Sequence, residues 1–387
     1  MAPSPRPDET RVAAALGHLR ARCGSRPPSA ADVERALPGR VTIDASTPAN
    51  PYVTAEVVAR LAALPAERLA RLVAGRPAAD GAVAGLLAAH VGVPPPALYL
   101  AAGADRAVHA LLASTPGPVL VSIPAFPAYY ELARGRVHAD RLDPSDGFRL
   151  DLDELERLAG RHRAATVVVA PGSGAVDRDA LIAFVGRLAG RVRQVIVDER
   201  LAGPAAPDAS LAPLAADLPH LAVVGSPSAS HGVAGLRLGY AAMVPPRAWG
   251  LRAAHGASGV NRFAAWFCGL LADPAIARAW EAARRRHLAD ARRLLAGLAA
   301  LPGVTAHAVA PAFAVLELDR PATPVVAAAL ARHGVYLRDC AGTWGLDGDR
   351  FLGVAAGDEA ANHRILAALR DVLATPAERR RTLAAVA

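Results

Sequence analysis

Gly225-Ser-Pro-Ser-Ala-Ser-His-Gly-Val-Ala-Gly-Leu-Arg-Leu-Gly-Tyr240 is the stretch on which the reading of this chain turns. An apolar run, Leu221 to Val224, leads into it with strand character. Ser226 and Ser228 then bring two hydroxyls two positions apart. Gly232, Gly235 and Gly239 let backbone pass close to a bulky neighbour. Arg237 supplies a permanently charged fork suited to a phosphate. A strand, a glycine-rich turn, two hydroxyls and an arginine together describe a phosphate cradle. A glycine-rich strand-turn-strand with a structural arginine has the same spacing, so both readings stand at this point.

Working outward, short apolar runs alternate with helical patterns. Strands are expected at Val119 to Ile123, Thr166 to Val169, Val195 to Val197 and Leu221 to Val224. Helices are expected at Val12 to Ala21, Val53 to Leu64, Asp105 to Leu112, Leu152 to Leu158, Arg178 to Leu188, Pro274 to Leu301 and Val325 to His333. Repeated strand-helix alternation predicts an α/β fold with a mainly parallel central sheet and helices on both faces. Such sheets bind ligands beyond the carboxyl ends of their strands. Gly103-Ala104-Asp105 lies at one such end, where Asp105 can cap the next helix and free amides attract phosphate. Phe126 and Asp198 end two further strands. A buried terminal aspartate needs a partner, whether a ligand or a salt bridge. Near the start, Pro48 and Pro51 argue for extended backbone around Asn50.

Composition narrows the function. The net charge is +8, yet all 43 basic residues are arginine and the chain contains no lysine. The arginines are scattered, apart from Arg284 to Arg286 and Arg379 to Arg381, and aromatics do not interleave with them. That argues against a nucleic-acid surface. No apolar run reaches membrane-spanning length, and the first residues lack a signal-peptide core, so a cytoplasmic, membrane-free protein is expected. Cys23, Cys268 and Cys340 are far apart and form no metal-type spacing.

Taken in order, these motifs resemble the class I/II aminotransferases of fold type I, in the branch of histidinol-phosphate aminotransferase and threonine-phosphate decarboxylase. The family's segment Ser-Lys-x-x-Gly-x-x-Gly-x-Arg-x-Gly matches at Ser228 and Arg237, but its lysine position holds Ala229. The resemblance implies a large domain at 43–255 and a smaller α+β domain at 256–378, flanked by an arm at 1–42 and a basic tail at 379–387. It implies pyridoxal 5'-phosphate (PLP) as cofactor. Ala104, Asp105, Ser226, Ser228 and Arg237 would surround its phosphate. Phe126 would stack on its ring and Asp198 would pair with the ring nitrogen. Asn50 matches half of a substrate-facing Asn-x-Asn-Pro element. Family sites form between two subunits, so a homodimer, or a heterodimer with an active paralogue, is expected.

The departures cluster around the same pocket. Leu72 stands at the position of a cross-subunit tyrosine, Ser173 and Leu201 replace partners of the cofactor's phenolic oxygen, and Gly353 replaces the arginine that binds substrate carboxylate. Arg338 and Arg350 are near Gly353 in sequence but off register. A Schiff base needs an unprotonated primary amine, which arginine, with a pKa above about 12, cannot offer. The expected function is therefore non-covalent binding of PLP or another phosphorylated ligand. Two alternatives stay open. One is a decarboxylase or aminotransferase of a phosphorylated amino acid in which Ala229 replaces a natural lysine; the four other departures speak for a natural lysine-less chain instead. The other is lysine-independent PLP chemistry with His231 moving protons, set against His231 merely packing where relatives have an aromatic residue.

Overall fold

The computed structural model describes residues 7–24, 26–76, 80–171, 176–200, 209–256 and 258–374. Ser173, Leu201 and the basic tail lie outside the described residues. In chain order the strands are β1 (Ile43–Ala45), β2 (Leu98–Ala101), β3 (Val119–Ile123), β4 (Val137–Arg141), β5 (Thr166–Val169), β6 (Gln194–Asp198), β7 (Leu221–Gly225), β8 (Gly239–Ala242), β9 (Val304–Ala310), β10 (Phe313–Leu318), β11 (Val335–Asp339) and β12 (Phe351–Ala355). They divide between two compact units, Ala49–Arg285 and a second built from Met1–Pro48 with Arg286–Ala387.

The first unit holds a seven-stranded sheet in the order β2-β8-β7-β6-β5-β3-β4. Its strands run parallel except β8, which is antiparallel to both β7 and β2. Strands β3, β5, β6 and β7 are buried along their whole length. That burial is why each reads as an unbroken apolar run rather than an alternation. Leu120, Val167, Val197 and Val223 share one core with Leu155, Phe184 and Phe267 from helices. Each such side chain, fully buried, contributes about 1.5–3 kcal/mol. Aspartates start several of the described helices, Leu152–Arg161 and Arg178–Arg187 among them. Asp151 accepts from the amides of Asp153 and Glu154, and Asp177 from those of Asp179 and Ala180.

The Asn50 region departs from expectation. Pro51 opens the helix Pro51–Ala62 instead of blocking one. Proline is tolerated at the first helical position because the amide it lacks would be unpaired there anyway. Asn50 Oδ1 caps that helix, accepting from Tyr52 N at 3.1 Å and Val53 N at 3.3 Å.

The second unit holds a five-stranded sheet in the order β1-β11-β12-β10-β9, antiparallel except for the β1–β11 pair. Val12, Leu16 and Leu19 of the helix Pro7–Cys23 share its core with Val326, Leu330 and Leu369. The described part of the expected arm at 1–42 thus contributes to this core through Val12, Leu16, Leu19, Val33 and Leu37, and β1 belongs to this sheet rather than to the larger unit. The helix Arg262–Leu271, expected in the smaller domain, buries Phe267 and Cys268 in the larger unit's core. Among the described residues, no helix is long and apolar enough to cross a membrane, and no group of three or more metal-binding side chains gathers.

Candidate functional site

Parallel pairing sets Asp198 opposite Val224 at the carboxyl ends of β6 and β7. This brings the Asp198 carboxylate beside the chain that turns into Ser226 and Ala229. The side chain is 7% exposed and fully partnered. Tyr129 donates its hydroxyl to Oδ2 at 2.9 Å. Arg200 donates its backbone amide and Nε to Oδ1 at 3.1 and 2.8 Å, while its Nη2 pairs with Oδ2. Burial would raise the carboxyl's pKa, but the Arg200 charge and these hydrogen bonds outweigh it and hold the group below its ordinary value. Burial would likewise lower the Arg200 guanidinium, but the Asp198 charge and hydrogen bond, with Tyr129 and Asp105 behind them, together outweigh it and hold the group above its ordinary value. The Tyr129 phenol is pushed well above its usual value, first by burial and then by Asp198.

Arg200 also lies on the aromatic face that Phe126 offers, its Cζ 3.9 Å from the ring centroid. The Tyr129 ring is 5.7 Å away. Arg200 Nη1 reaches Asp105 Oδ1 at 3.5 Å, and Arg237 Nη2 approaches Asp105 Oδ2 at 3.4 Å. Asp198, Arg200, Asp105 and Arg237 therefore form an alternating string of charges that sums to zero. Asp105 does not cap its helix as expected. Gly103 is the N-cap at φ 95°, and no side chain caps the helix Ala104–Ser114. A Cβ at Gly103 would sit 2.3 Å from Arg237 Nη2, so glycine admits the guanidinium at the helix start.

The two serines also depart from expectation. Ser228 is 2% exposed, and its hydroxyl both donates to Leu238 O at 2.9 Å and accepts from Leu238 N at 3.0 Å. Ser226 donates to the same carbonyl at 3.2 Å. These bonds tie the two arms of the turn together where β7–β8 pairing stops at Gly225 and Tyr240. Ser228 is therefore a structural bracket with no free donor for a phosphate. What remains at the cradle is Arg237, half exposed, and the helix start at Ala104.

Ala229 lies in the single turn Pro227–Ser230. Its neighbour His231 is packed among rings. His90, Phe267 and Trp280 have centroids at 5.8, 5.7 and 5.4 Å. Its Nδ1 lies 2.8 Å from Pro227 O. Burial, reinforced by His90, pushes the imidazole down to about 4 from an ordinary 6.5. A histidine lowered in this way stabilises the fold fully above its unfolded value and loses that contribution as pH falls toward the folded one. His231→Phe is expected to flatten the stability profile between pH 6.5 and about 4 while keeping the ring packing. Urea titrations across that range measure it; an unchanged acid slope would refute burial as the cause. Asn50, 4% exposed, lies behind this turn, with its backbone 2.6–2.7 Å from where a Cβ on Gly232 would be.

Within the other unit, a Cβ at Gly353 would fall 2.4 Å from Phe313 Cζ. Arg338, off register in sequence, is directly opposite Gly353 across the β11–β12 pair. Its guanidinium lies 4.8 Å over Phe313 and its Nε donates to Ser46 O at 2.9 Å. Arg350 pairs instead with Glu317 at 3.0 Å. Sequence reading missed Tyr129 and the pairing role of Arg200. The available signal was Arg200 two positions beyond a strand-ending aspartate.

Comparison with known proteins agrees with this architecture. The family description Aminotransferase class I and II matches residues 74–369. The chain is 23% identical to the L-serine phosphate decarboxylase of Campylobacter jejuni over 381 residues, covering 94% of this chain and 97% of that one. It is 29% identical to the histidinol-phosphate aminotransferase of Xylella fastidiosa over 316 residues, covering 76% and 82%. A solved decarboxylase from Sulfurospirillum multivorans superposes with a TM-score of 0.85 at 24% identity, covering 94% and 97%.

The residues present do not fit PLP in the arrangement that the family resemblance implies. Position 229 is alanine in a chain without lysine, and both groups that would flank the pyridine ring, Asp198 and Phe126, are in contact with Arg200.

Proposed function

Because this chain belongs to the class I and II aminotransferase family, a PLP-dependent family that includes L-serine phosphate decarboxylases, we propose that it binds a small phosphorylated amino-acid ligand without a covalent internal aldimine. The observation that carries the reading is Ala229 in a chain with no lysine at all. The phosphate half rests on Arg237, whose side chain is 50% exposed and holds Asp105 only at 3.4 Å. A bond that long in a half-exposed pair is weak, so an incoming phosphate can compete for the guanidinium. The helix start at Ala104, which no side chain caps, lies beside the same guanidinium and favours an anion there.

A second reading, an enzyme acting on a phosphorylated amino acid, is favoured by the end-to-end match to L-serine phosphate decarboxylase. One experiment separates the two. Purified protein is titrated with O-phospho-L-serine by calorimetry, then assayed for CO2 release with added PLP, alongside Ala229→Lys. Saturable, salt-sensitive binding with no CO2 release by the natural chain is the expected result. CO2 release by the natural chain would favour the enzyme, and no binding at all would remove the proposal.

A further inference from the structure

We propose that Arg200 is a built-in substitute for the cofactor ring, making it the residue that excludes PLP from this pocket. In the family this chain resembles, an in-plane carboxylate and a stacked aromatic hold a flat cationic ring. Here the same two groups hold a flat cation that the chain supplies. The Arg200 fork takes both oxygens of Asp198, and its Cζ lies over the Phe126 ring, 3.9 Å from the centroid. That separation is stacking contact, so no second planar group fits between them. Arg200 and Asp198 are 9% and 7% exposed, so the pair is shielded from water. Swinging Arg200 out would leave a buried carboxylate without its partner, which proteins resist strongly.

The string of charges gives the exclusion its direction. Arg200 also touches Asp105, which touches Arg237. The ring station is thereby closed while the outer guanidinium stays half exposed. The pocket that results accepts the phosphate group of a non-aromatic ligand and rejects the same group carried on a pyridine. For its ligand class this rests on the phosphorylated-ligand reading above; the exclusion of the ring rests on Arg200 alone.

The test measures the affinities of wild type, Arg200→Ala and the charge-neutral double variant Arg200→Ala/Asp198→Asn for PLP and for O-phospho-L-serine. The double variant avoids leaving a lone buried charge, so it guards against simple unfolding. Opening the ring station is expected to shift the ratio of PLP to phosphoserine affinity toward PLP by at least about tenfold in both variants. A general structural loss would weaken both ligands together and leave that ratio unmoved, which would overturn the inference. Wild-type protein binding PLP as tightly as the variants would overturn it too, leaving the phosphoserine reading intact if that ligand still binds. Strong PLP binding by the variants with no phosphoserine binding by any form would keep the exclusion and remove the ligand reading. Absence of binding by every form would remove both.

Discussion

Asp198→Ala is expected to lower the unfolding free energy by about 3–5 kcal/mol at neutral pH, the cost of orphaning a buried charge. The guanidinium of Arg200 would remain 9% exposed with its main partner gone. Tyr129 would lose the acceptor of its hydroxyl in the same step. The pair itself need not be a net source of stability, because desolvating two charges offsets much of their attraction. The double variant Asp198→Ala/Arg200→Ala is therefore expected to be less destabilised than Asp198→Ala alone. Urea unfolding of the single and double variants measures this coupling. A double variant at least as unstable as Asp198→Ala would contradict it. The pH dependence has a definite sign. The folded-state value of Asp198 is lowered, so its contribution is complete above the unfolded carboxyl value, about 3.9, and disappears as pH falls through the lower folded value. The difference between wild type and Asp198→Ala is expected to be flat from neutrality to about pH 5 and to shrink only in stronger acid.

Gly239→Ala is expected to cost about 3 kcal/mol, the upper end of overpacking. A Cβ there would lie 2.2 Å from Ala104 N and 2.6 Å from Ala104 Cα and Gly103 C. All three are backbone atoms at the start of a helix and cannot rotate away. Gly239 is also held on its other side, paired with Ala101 on β2. Relief therefore requires β8 and the helix start to part, which also displaces the amides proposed to meet phosphate. Gly235, four residues earlier in the same turn, is the control, since nothing lies within 4 Å of its ideal Cβ. Gly235→Ala is expected to change stability by no more than about 0.5 kcal/mol. Equal melting temperatures for the two variants would show that the close passage of β8 under the helix is not needed.

Much of the larger unit was legible because buried parallel strands write themselves as apolar runs. Thr166–Val169 and Val119–Ile123 match the expected strands end to end. Their neighbours β6 and β7 differ only at the ends, where Gln194, Asp198 and Gly225 join the pairing. Local chemistry misled where a residue has two uses. Pro51 forbids a helix interior but suits a helix start, and only the Asn50 cap decides between them. Ser228 looks like a phosphate donor until the far arm of its own turn claims the hydroxyl. The placement of the helix Pro7–Cys23 depended on which core would take Val12, Leu16 and Leu19, a choice that no local spacing encodes.

Composition alone decided one matter: a polypeptide with no lysine side chain cannot tether an aldehyde at position 229, whatever its shape. Only the folded chain decided what Asp198 does. Tyr129 is 69 positions away from it and Phe126 farther still, while Arg200 is two positions beyond it. Strand pairing brings these groups to the carboxyl ends of the central strands, and there the nearest cation, being part of the chain, needs no binding step to reach the carboxylate.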